Sequence, residues 1–240
     1  MNQPIIFIFI AIFILVLLSF YFFSEKARIK RKLKKAEYRI ISKFKDNEIA
    51  KITGNVTLIE EALIAPLSRR KCVLYYIHVE QKVSSGKHTR WKTIIEEEVS
   101  SRFLINDDNH YAFINDINIK SYIVQDKSYS SGIFNDATEN LEKYLSEKGY
   151  ESEGFLGFNK TIRYKEGVLE IGEEIAVFGK GTWKDAEDLD LPKKYRKVLE
   201  ITSNNDESVY ISDDPSTTIK KVKNDNSLGV YRTDRDRYSR

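Results

Sequence analysis

The chain has 240 residues, with 39 Lys and Arg against 36 Asp and Glu, and a formal net charge of +3. Seven of the basic residues lie within 26–35, so the remainder is slightly acidic, which argues against a broad nucleic-acid-binding surface. Cys72 is the only cysteine and there are only three histidines, so an intrachain disulfide is excluded and a structural zinc site, including a RING, is not expected.

The first predicted element is an apolar stretch from Ile5 to Phe23 that contains no charged residue. As a helix it would cover roughly 28 Å, close to the hydrocarbon thickness of a bilayer. A cleavable signal peptide is disfavoured, because the leader MNQP carries no positive side chain and no small-residue cleavage site follows. We predict a transmembrane helix over 5–23, preceded by a short external N-terminus at 1–4.

A basic segment follows directly. Because basic residues next to a spanning segment stay on the cytoplasmic side, we expect a single-pass protein of the cell membrane with its N-terminus outside and its main domain in the cytosol. The segment is also a candidate membrane-surface site for anionic lipid; its alternative role is a topology signal alone. The basic residues are Lys26, Arg28, Lys30, Arg31, Lys32, Lys34 and Lys35.

The same segment, 24–47, is predicted to be a juxtamembrane helix, with its helical pattern running from Glu25 to Phe44. Apolar residues recur at helical spacing along it and form a narrow stripe on a charged rod. We expect the stripe to dock on the protein's own domain rather than on a second copy, because two heptads make a weak coiled coil. The stripe consists of Ile29, Leu33, Ala36 and Ile40.

From Ile49 the spacing changes to the alternation of β-strands. The motif ITGNV contains Gly54, where a bulge or tight turn is expected. The run 71–81 predicts a central strand, and 90–101 predicts the strand that returns from it across the turn SSGKHT. A second hairpin is predicted over 102–115 and a further strand over 117–125. An acidic turn in the second hairpin lacks the ligand spacing of a calcium loop.

Three further elements are predicted between residues 126 and 183. Residues 126–136 are predicted to be a loop, and Ala137–Lys148 an amphipathic helix that Gly149 ends. Residues 161–183 are then predicted to form a hairpin with Gly172 at its turn and Gly179 at its exit. The ending GKGT does not match the spacing of a phosphate-binding loop.

Candidate catalytic groups are few. Cys72 lies within an apolar run, which favours a buried and inert thiol. His78 and Glu80 share a strand face with it, but this spacing does not place a nucleophile, a base and an orienting group in contact. The run Glu96-Glu97-Glu98 is most simply a solvated edge. We therefore predict no enzymatic activity, no metal and no cofactor.

Several motifs, taken in order, resemble a known family, the GIDE or "beside a membrane" (BAM) domain of membrane-anchored proteins. The resemblance covers roughly 48–179 and extends the predicted domain to 48–223. The motifs are ITGNV, LIAPLSRRKCVLYY, the WKT strand, FLINDDN and KEGVLEIGEEIAVFG. The family-motif residues, expected to be structural, are Gly54, Pro66, Cys72, Trp91, Glu166, Gly172 and Gly179.

The resemblance implies a sensing or partner-binding module. In the eukaryotic relatives, E3 ubiquitin ligase activity comes from a separate C-terminal RING, and a second membrane segment follows the domain. Neither is expected here, because the predicted flexible tail at 224–240 contains no cysteine or histidine and no long apolar run follows Gly179. A ligase label would therefore apply only by homology.

The combined prediction is a mainly β (α+β) fold with an N-terminal transmembrane helix, an antiparallel β-rich domain and one amphipathic helix. The predicted function is non-catalytic binding or sensing beside the membrane, on a membrane-associated protein or a peptide partner. The alternatives are an anionic-lipid or envelope-stress sensor, and a ligase-like protein without the RING needed for transfer. The expected partners are the lipid bilayer and a protein, without nucleic acid, and no oligomeric state is predicted.

Overall fold

A computed structural model describes residues 7, 10, 12, 13, 15, 24–132, 137–151, 160–204, 207–224 and 227–231. Its helices are α1 (Glu25–Lys35) and α2 (Glu139–Glu147), with short 3-10 turns at Ile41–Lys43, Ala186–Leu189 and Lys193–Tyr195. Its strands are β1 (Ile49–Leu58), β2 (Leu63–Ile64), β3 (Lys71–Ser85), β4 (His88–Ser100), β5 (Phe103–Asp107), β6 (His110–Ile114), β7 (Ile119–Tyr122), β8 (Gln125–Ser131), β9 (Ile162–Glu170), β10 (Glu174–Asp185), β11 (Lys197–Thr202), β12 (Val209–Ser212), β13 (Lys220–Asn224) and β14 (Ser227–Tyr231).

The predicted fold class is wrong in its first element, the transmembrane helix over 5–23. In the described part of the chain, no helix is both long enough and apolar enough to cross a membrane. The longest described helix, α1, has 11 residues, so it extends only about 16 Å, and most of its side chains are charged. The predicted single-pass membrane localisation, with the N-terminus outside and the main domain in the cytosol, is corrected with it.

Only part of the predicted span is described. Five of its residues are helical, and their side chains are 50–69% exposed. The other residues of 5–23, and the predicted external segment 1–4, lie outside the described residues. The five described residues are Phe7, Ile10, Ile12, Phe13 and Leu15.

The larger sheet has seven strands in the order β1-β5-β6-β11-β10-β12-β7. Strand β1 also pairs with β10, so β1, β5, β6, β11 and β10 form a closed circuit. All neighbours are antiparallel except β11 with β6 and β12 with β7, which are parallel. The inward side chains form the main hydrophobic core, which includes Ile52, Ile105, Val177 and Leu199.

The second sheet has the order β2-β3-β9-β8, and β4 pairs with β3. Helix α2 packs on one face of this sheet through Leu141, Tyr144 and Leu145, as its amphipathic pattern predicts. The Thr138 side chain accepts a hydrogen bond from the backbone of Leu141 at the first turn, which satisfies one of the free N–H groups of the helix. Gly149 ends the helix with φ +77°, a conformation that favours glycine.

Both predicted local hairpins of the first half are confirmed. Strands β3 and β4 pair across a turn at Gly86, whose φ is +58°. Strands β5 and β6 pair across Asp108 and Asn109, which both adopt positive φ. The sequence signals were sufficient here because each turn joins strands that pair with each other directly.

The predicted hairpin over 161–183 is wrong. Its two runs do form strands, β9 and β10, and Gly172 adopts φ +88° between them. However, β9 pairs with β3 and β8 in the second sheet, whereas β10 pairs with β1, β11 and β12 in the first. The turn therefore passes the chain from one sheet to the other, because pairing with distant strands replaces the local pairing that alternation suggested.

Gly54 and Gly179 have a structural role different from the turn and the exit that were predicted. Strand β1 runs through Gly54 without a turn, and a Cβ there would lie 2.5 Å from the Asn106 carbonyl oxygen of β5. A Cβ at Gly179 would lie 2.6 Å from Cγ2 of Ile201 on β11. Both positions need glycine because another strand approaches closely.

The predicted loop at 126–136 is wrong for its first part. Strand β8 covers Gln125–Ser131 and pairs with β9, which makes it an edge of the second sheet. Its polar, Ser-rich composition resembles a loop, but an edge strand buries little and tolerates polar side chains. Residues 133–136 lie outside the described residues.

Helix α1 is shorter than the pattern Glu25–Phe44 predicted and ends at Lys35. Beyond it, the chain forms a parallel bridge with β1, in which Lys51 donates its N–H to Glu37 and accepts the N–H of Arg39. These backbone groups are therefore not free to continue a helix. The predicted docking is confirmed for Ile29 and Leu33, which are buried against β10 of the same chain, and Ala36 packs beside them. Ile40, the last residue of the predicted stripe, lies beyond the helix and is exposed.

The end of the described chain is tied to the first sheet. Lys51 is 2% exposed, and its Nζ donates to the carbonyl oxygens of Thr217 and Ile219 at 2.8 and 3.0 Å. Strands β13 and β14 then form a two-stranded sheet. The flexible tail predicted over 224–240 is thus wrong for Ser227–Tyr231, which forms β14, while 232–240 lie outside the described residues.

Candidate binding surfaces

Three of the family-motif residues meet at one place and act structurally. Glu166 on β9 is 2% exposed, and its carboxylate accepts the backbone N–H groups of Leu67 and Ser68 at 2.9 and 3.0 Å. It thereby holds the turn that contains Pro66. Cys72, also buried, begins the strand that follows this turn.

Cys72 has a buried thiol whose surroundings disfavour its ionised form. Burial raises the pKa of its thiol to about 11, and its Sγ lies 3.7 Å from the Leu63 carbonyl oxygen. A thiol with that pKa is almost entirely protonated near neutral pH and is a poor nucleophile. Nor do the described residues contain a group of three or more His, Cys, Asp and Glu side chains that could hold a metal ion.

The face of the second sheet opposite α2 presents polar, charged and aromatic side chains, and neither described helix packs on it. We call it the open face; its residues pair in register across three strands, as His78 does with Glu96 and Lys165, and Glu80 with Thr93 and Arg163. It consists of Tyr76, His78, Glu80, Lys82, Trp91, Thr93, Glu96, Arg163 and Lys165.

A stacked ion pair dominates the outer part of the open face. The Arg163 guanidinium carbon lies 4.3 Å from the centre of the Trp91 ring, and Nη2 donates to Glu80 Oε1 at 2.8 Å. The hydrogen bond from Arg163 lowers the pKa of Glu80. Trp91 remains 36% exposed. Trp and Arg are among the residue types most enriched at protein-binding hot spots.

The inner part of the open face is a ladder of polar pairs. Tyr76 donates its hydroxyl to Glu96 at 2.8 Å, and His78 Nε2 lies 3.2 Å from Thr93 Oγ1. Burial and the neighbouring Glu96 carboxylate raise the pKa of the Tyr76 phenol above its ordinary value. The pairs hold the side chains in defined positions at a surface that water can reach.

The acidic run at 96–98 lies on an edge strand, as predicted, but each carboxylate has a partner. Glu97 accepts from the Tyr144 hydroxyl at 2.6 Å and pairs with Lys148, so it connects the edge strand to α2. Burial opposes the ionisation of Glu97, but these two hydrogen bonds outweigh it and lower its pKa. Glu96 and Glu98 accept from Tyr76 and Ser121.

Strand β4 presents a free edge. Among the described strands it pairs with β3 alone. The Lys82 N–H on β3 donates to the Thr161 carbonyl, away from β4. Along antiparallel strands, successive residues direct their backbone groups alternately to one neighbour and to the other. Val83, next to Lys82, therefore bonds to its register partner Arg90 on β4. The residues on either side of Arg90 direct their backbone groups away from β3. The backbone N–H groups of Thr89 and Trp91 therefore point to the free edge.

The basic residues of α1 differ in their surroundings. Lys30 pairs with Asp214 at 2.7 Å, and Lys26 Nζ lies 4.3 Å from the centre of the Tyr122 ring. Four basic residues line a cleft of about 390 Å³ beside Tyr210. One of them, Lys32, also pairs with Glu207 and lies over the Phe178 ring. Lys34 is exposed and does not line this cleft. The cleft residues are Arg28, Arg31, Lys32, Lys35, Ala36 and Tyr210.

The sequence signals identified some of these groups and missed others. Trp91 and the seven basic residues were singled out, whereas Arg163, which stacks on Trp91, was not. The two stacked residues lie on strands separated by β3, so nothing in the local sequence connects them. Tyr210 was missed for the same reason, since β12 reaches α1 only through the tertiary fold.

No protein-family model, no curated protein and no solved structure matches this chain. The resemblance to the GIDE or "beside a membrane" domain therefore stays a prediction.

Proposed function

We propose that this chain is a non-catalytic binding module that takes up an extended segment of a protein partner as an additional strand along β4. The observation that carries the proposal is the free edge of β4, with the outward backbone N–H groups of Thr89 and Trp91. Strand addition uses such an edge for main-chain hydrogen bonds, and neighbouring side chains supply specificity.

The side chains beside the edge support an anchor for the partner. Trp91 is exposed and rigidly backed by Arg163, which Glu80 holds in turn. A side chain of the added strand that points to the open face would lie beside this indole. Aromatic and arginine groups of this kind contribute most of the binding free energy at many interfaces.

The charge along β4 changes from basic near the hairpin turn to acidic at residues 96–98. The outer end of the hairpin, 82–92, contains four basic residues and no acidic one, whereas 96–98 is wholly acidic. A complementary segment carries acidic residues opposite Arg90 and Lys92 and a basic residue opposite Glu96. Charged residues also protect free edges from unwanted pairing, so a neutral segment should be rejected.

The experiment selects peptides from a displayed random library on the full chain and measures their affinity by fluorescence anisotropy. Two variants at one exposed position separate the backbone contribution from the side-chain contribution. Thr89→Pro removes the outward N–H without removing a bond to β3, whereas Thr89→Val keeps it. We expect Thr89→Pro to weaken binding about tenfold, or ~1.4 kcal/mol, and Thr89→Val to change it less than twofold.

Two results would contradict the proposal. One is equal binding by both Thr89 variants while circular dichroism shows both folded. The other is a wild-type chain that dimerises by light scattering and a Thr89→Pro variant that is monomeric, because β4 would then pair with a second copy instead of a partner segment.

A further inference from the structure

Helix α1 collects four positive charges on one side. Positions i, i+3, i+4 and i+7 of a helix lie along one face, and here each of them is basic. The burial of Ile29 and Leu33 against the first sheet fixes the rotation of the helix, so this face borders the cleft of about 390 Å³ in a defined orientation. The four residues are Arg28, Arg31, Lys32 and Lys35.

The positive charges on this face repel one another. Like charges four residues apart on a helix repel each other, and both Arg28 with Lys32 and Arg31 with Lys35 have this spacing. The helix dipole favours cations only in the last turn, which contains Lys32 and Lys35 but not Arg28. Contacts within the domain compensate part of the charge: Lys32 pairs with Glu207 and lies 4.3 Å from the centre of the Phe178 ring, and Arg31 also has an interaction partner.

We propose that the cleft binds a phosphate group. Arg28 and Lys35 are exposed at the cleft. A guanidinium group can offer paired N–H donors to phosphate oxygens, and the Lys35 ammonium adds positive charge beside it. The cleft is open to solvent, which leaves room for the rest of a phosphate ester beside the Tyr210 ring. The site is separate from the β4 edge and does not depend on the proposed function.

The first test uses inorganic pyrophosphate and the full chain at low ionic strength, with calorimetry as the readout. The double variant Arg28→Gln/Lys35→Gln removes two charges from the exposed rim of the cleft and leaves the buried Ile29 and Leu33 in place. We expect it to bind pyrophosphate at least ten times more weakly. The control Lys193→Gln/Lys197→Gln removes two exposed charges outside the cleft and should change binding less than twofold.

The second test distinguishes a free phosphate from a lipid headgroup. Vesicles of phosphatidylcholine with and without phosphatidic acid are sedimented with the same three proteins, the wild-type chain and the two double variants, in the presence and absence of pyrophosphate. Binding to phosphatidic acid that pyrophosphate displaces and that Arg28→Gln/Lys35→Gln abolishes identifies the phosphate of a headgroup. Calorimetric binding without such sedimentation identifies a free phosphate compound. Equal behaviour of the cleft variant and the control in both tests would overturn the proposal.

Discussion

The two sheets of this protein bury their side chains differently. The first sheet closes on itself through β1 and β10, and its inner side chains form one large core. The second sheet is open, with α2 on one face and a polar, aromatic and charged ladder on the other. Each of the five strands of the closed circuit has neighbours on both sides, and among the described strands the first sheet keeps an edge only beyond it, at β7. The second sheet has an edge at β4 and an open face. The difference places stability mainly in the first sheet and binding capacity in the second.

The comparison predicts the largest loss of stability from the first core. Ile105 is fully buried, so Ile105→Ala should lower the free energy of unfolding by about 2–5 kcal/mol, through lost burial and the cavity left behind. Ile171 is 44% exposed in the connection between the sheets. Ile171→Ala, the control, should change stability by less than about 0.5 kcal/mol. Urea unfolding followed by circular dichroism measures both; similar losses would show that burial in the first core does not determine the effect at Ile105.

A smaller loss is expected at Glu166, a strongly buried carboxylate of the second sheet. Glu166→Ala leaves the N–H groups of Leu67 and Ser68 without their acceptor, which should lower the free energy of unfolding by about 2–3 kcal/mol. Glu166→Gln keeps one side-chain oxygen and should lose less. Amide hydrogen exchange at 67 and 68 reports on the same contact, and unchanged protection in Glu166→Ala would mean that the turn is held by other groups.

The smallest effect on stability is expected on the open face. Arg163 pairs with Glu80 at the surface, where solvent weakens ion pairs, so Arg163→Ala should alter stability less than either preceding change. Its effect on peptide binding should nevertheless be large, because Trp91 loses its support. Lys120→Ala, another cationic site on an outer strand, is the control for binding and should leave it unchanged.

The small contribution of this pair should depend on pH in a defined direction. The pKa of Glu80 is lower in the folded protein, so the pair stabilises the fold fully above the ordinary glutamate pKa, and the stabilisation disappears as the pH falls through the folded value. The difference in unfolding free energy between wild type and Arg163→Ala should therefore shrink below about pH 4. A difference that grows on acidification would contradict the assignment of this ion pair.

Local signals were sufficient for elements whose partners are close in sequence. Residues within the element itself specify three of them: the turn at Gly86, the turn at Asp108-Asn109 and the helix that begins after Thr138. Strands β9 and β10 show the limit of such signals. Two alternating runs beside Gly172 predict a hairpin, but β9 obtains more partners by joining β3 and β8.

The candidate sites also combine features that the sequence shows with features that only the fold creates. The basic residues of α1 and the indole of Trp91 could be identified from the sequence, because their chemistry is visible in their side chains. Which of those side chains act together could not. Lys30 was grouped with Arg28 by its charge, yet Asp214 holds Lys30 against the domain while Arg28 lines the cleft.

The sequence by itself determined the β-rich character of the domain, the amphipathic α2 and the local turns, because alternation, helical spacing and turn residues act over a few positions. The tertiary structure alone decided that β1 closes the first sheet, that β4 keeps a free edge and that Arg163 stacks on Trp91. These outcomes depend on which distant strands satisfy one another's hydrogen bonds, and that competition involves the whole chain at once.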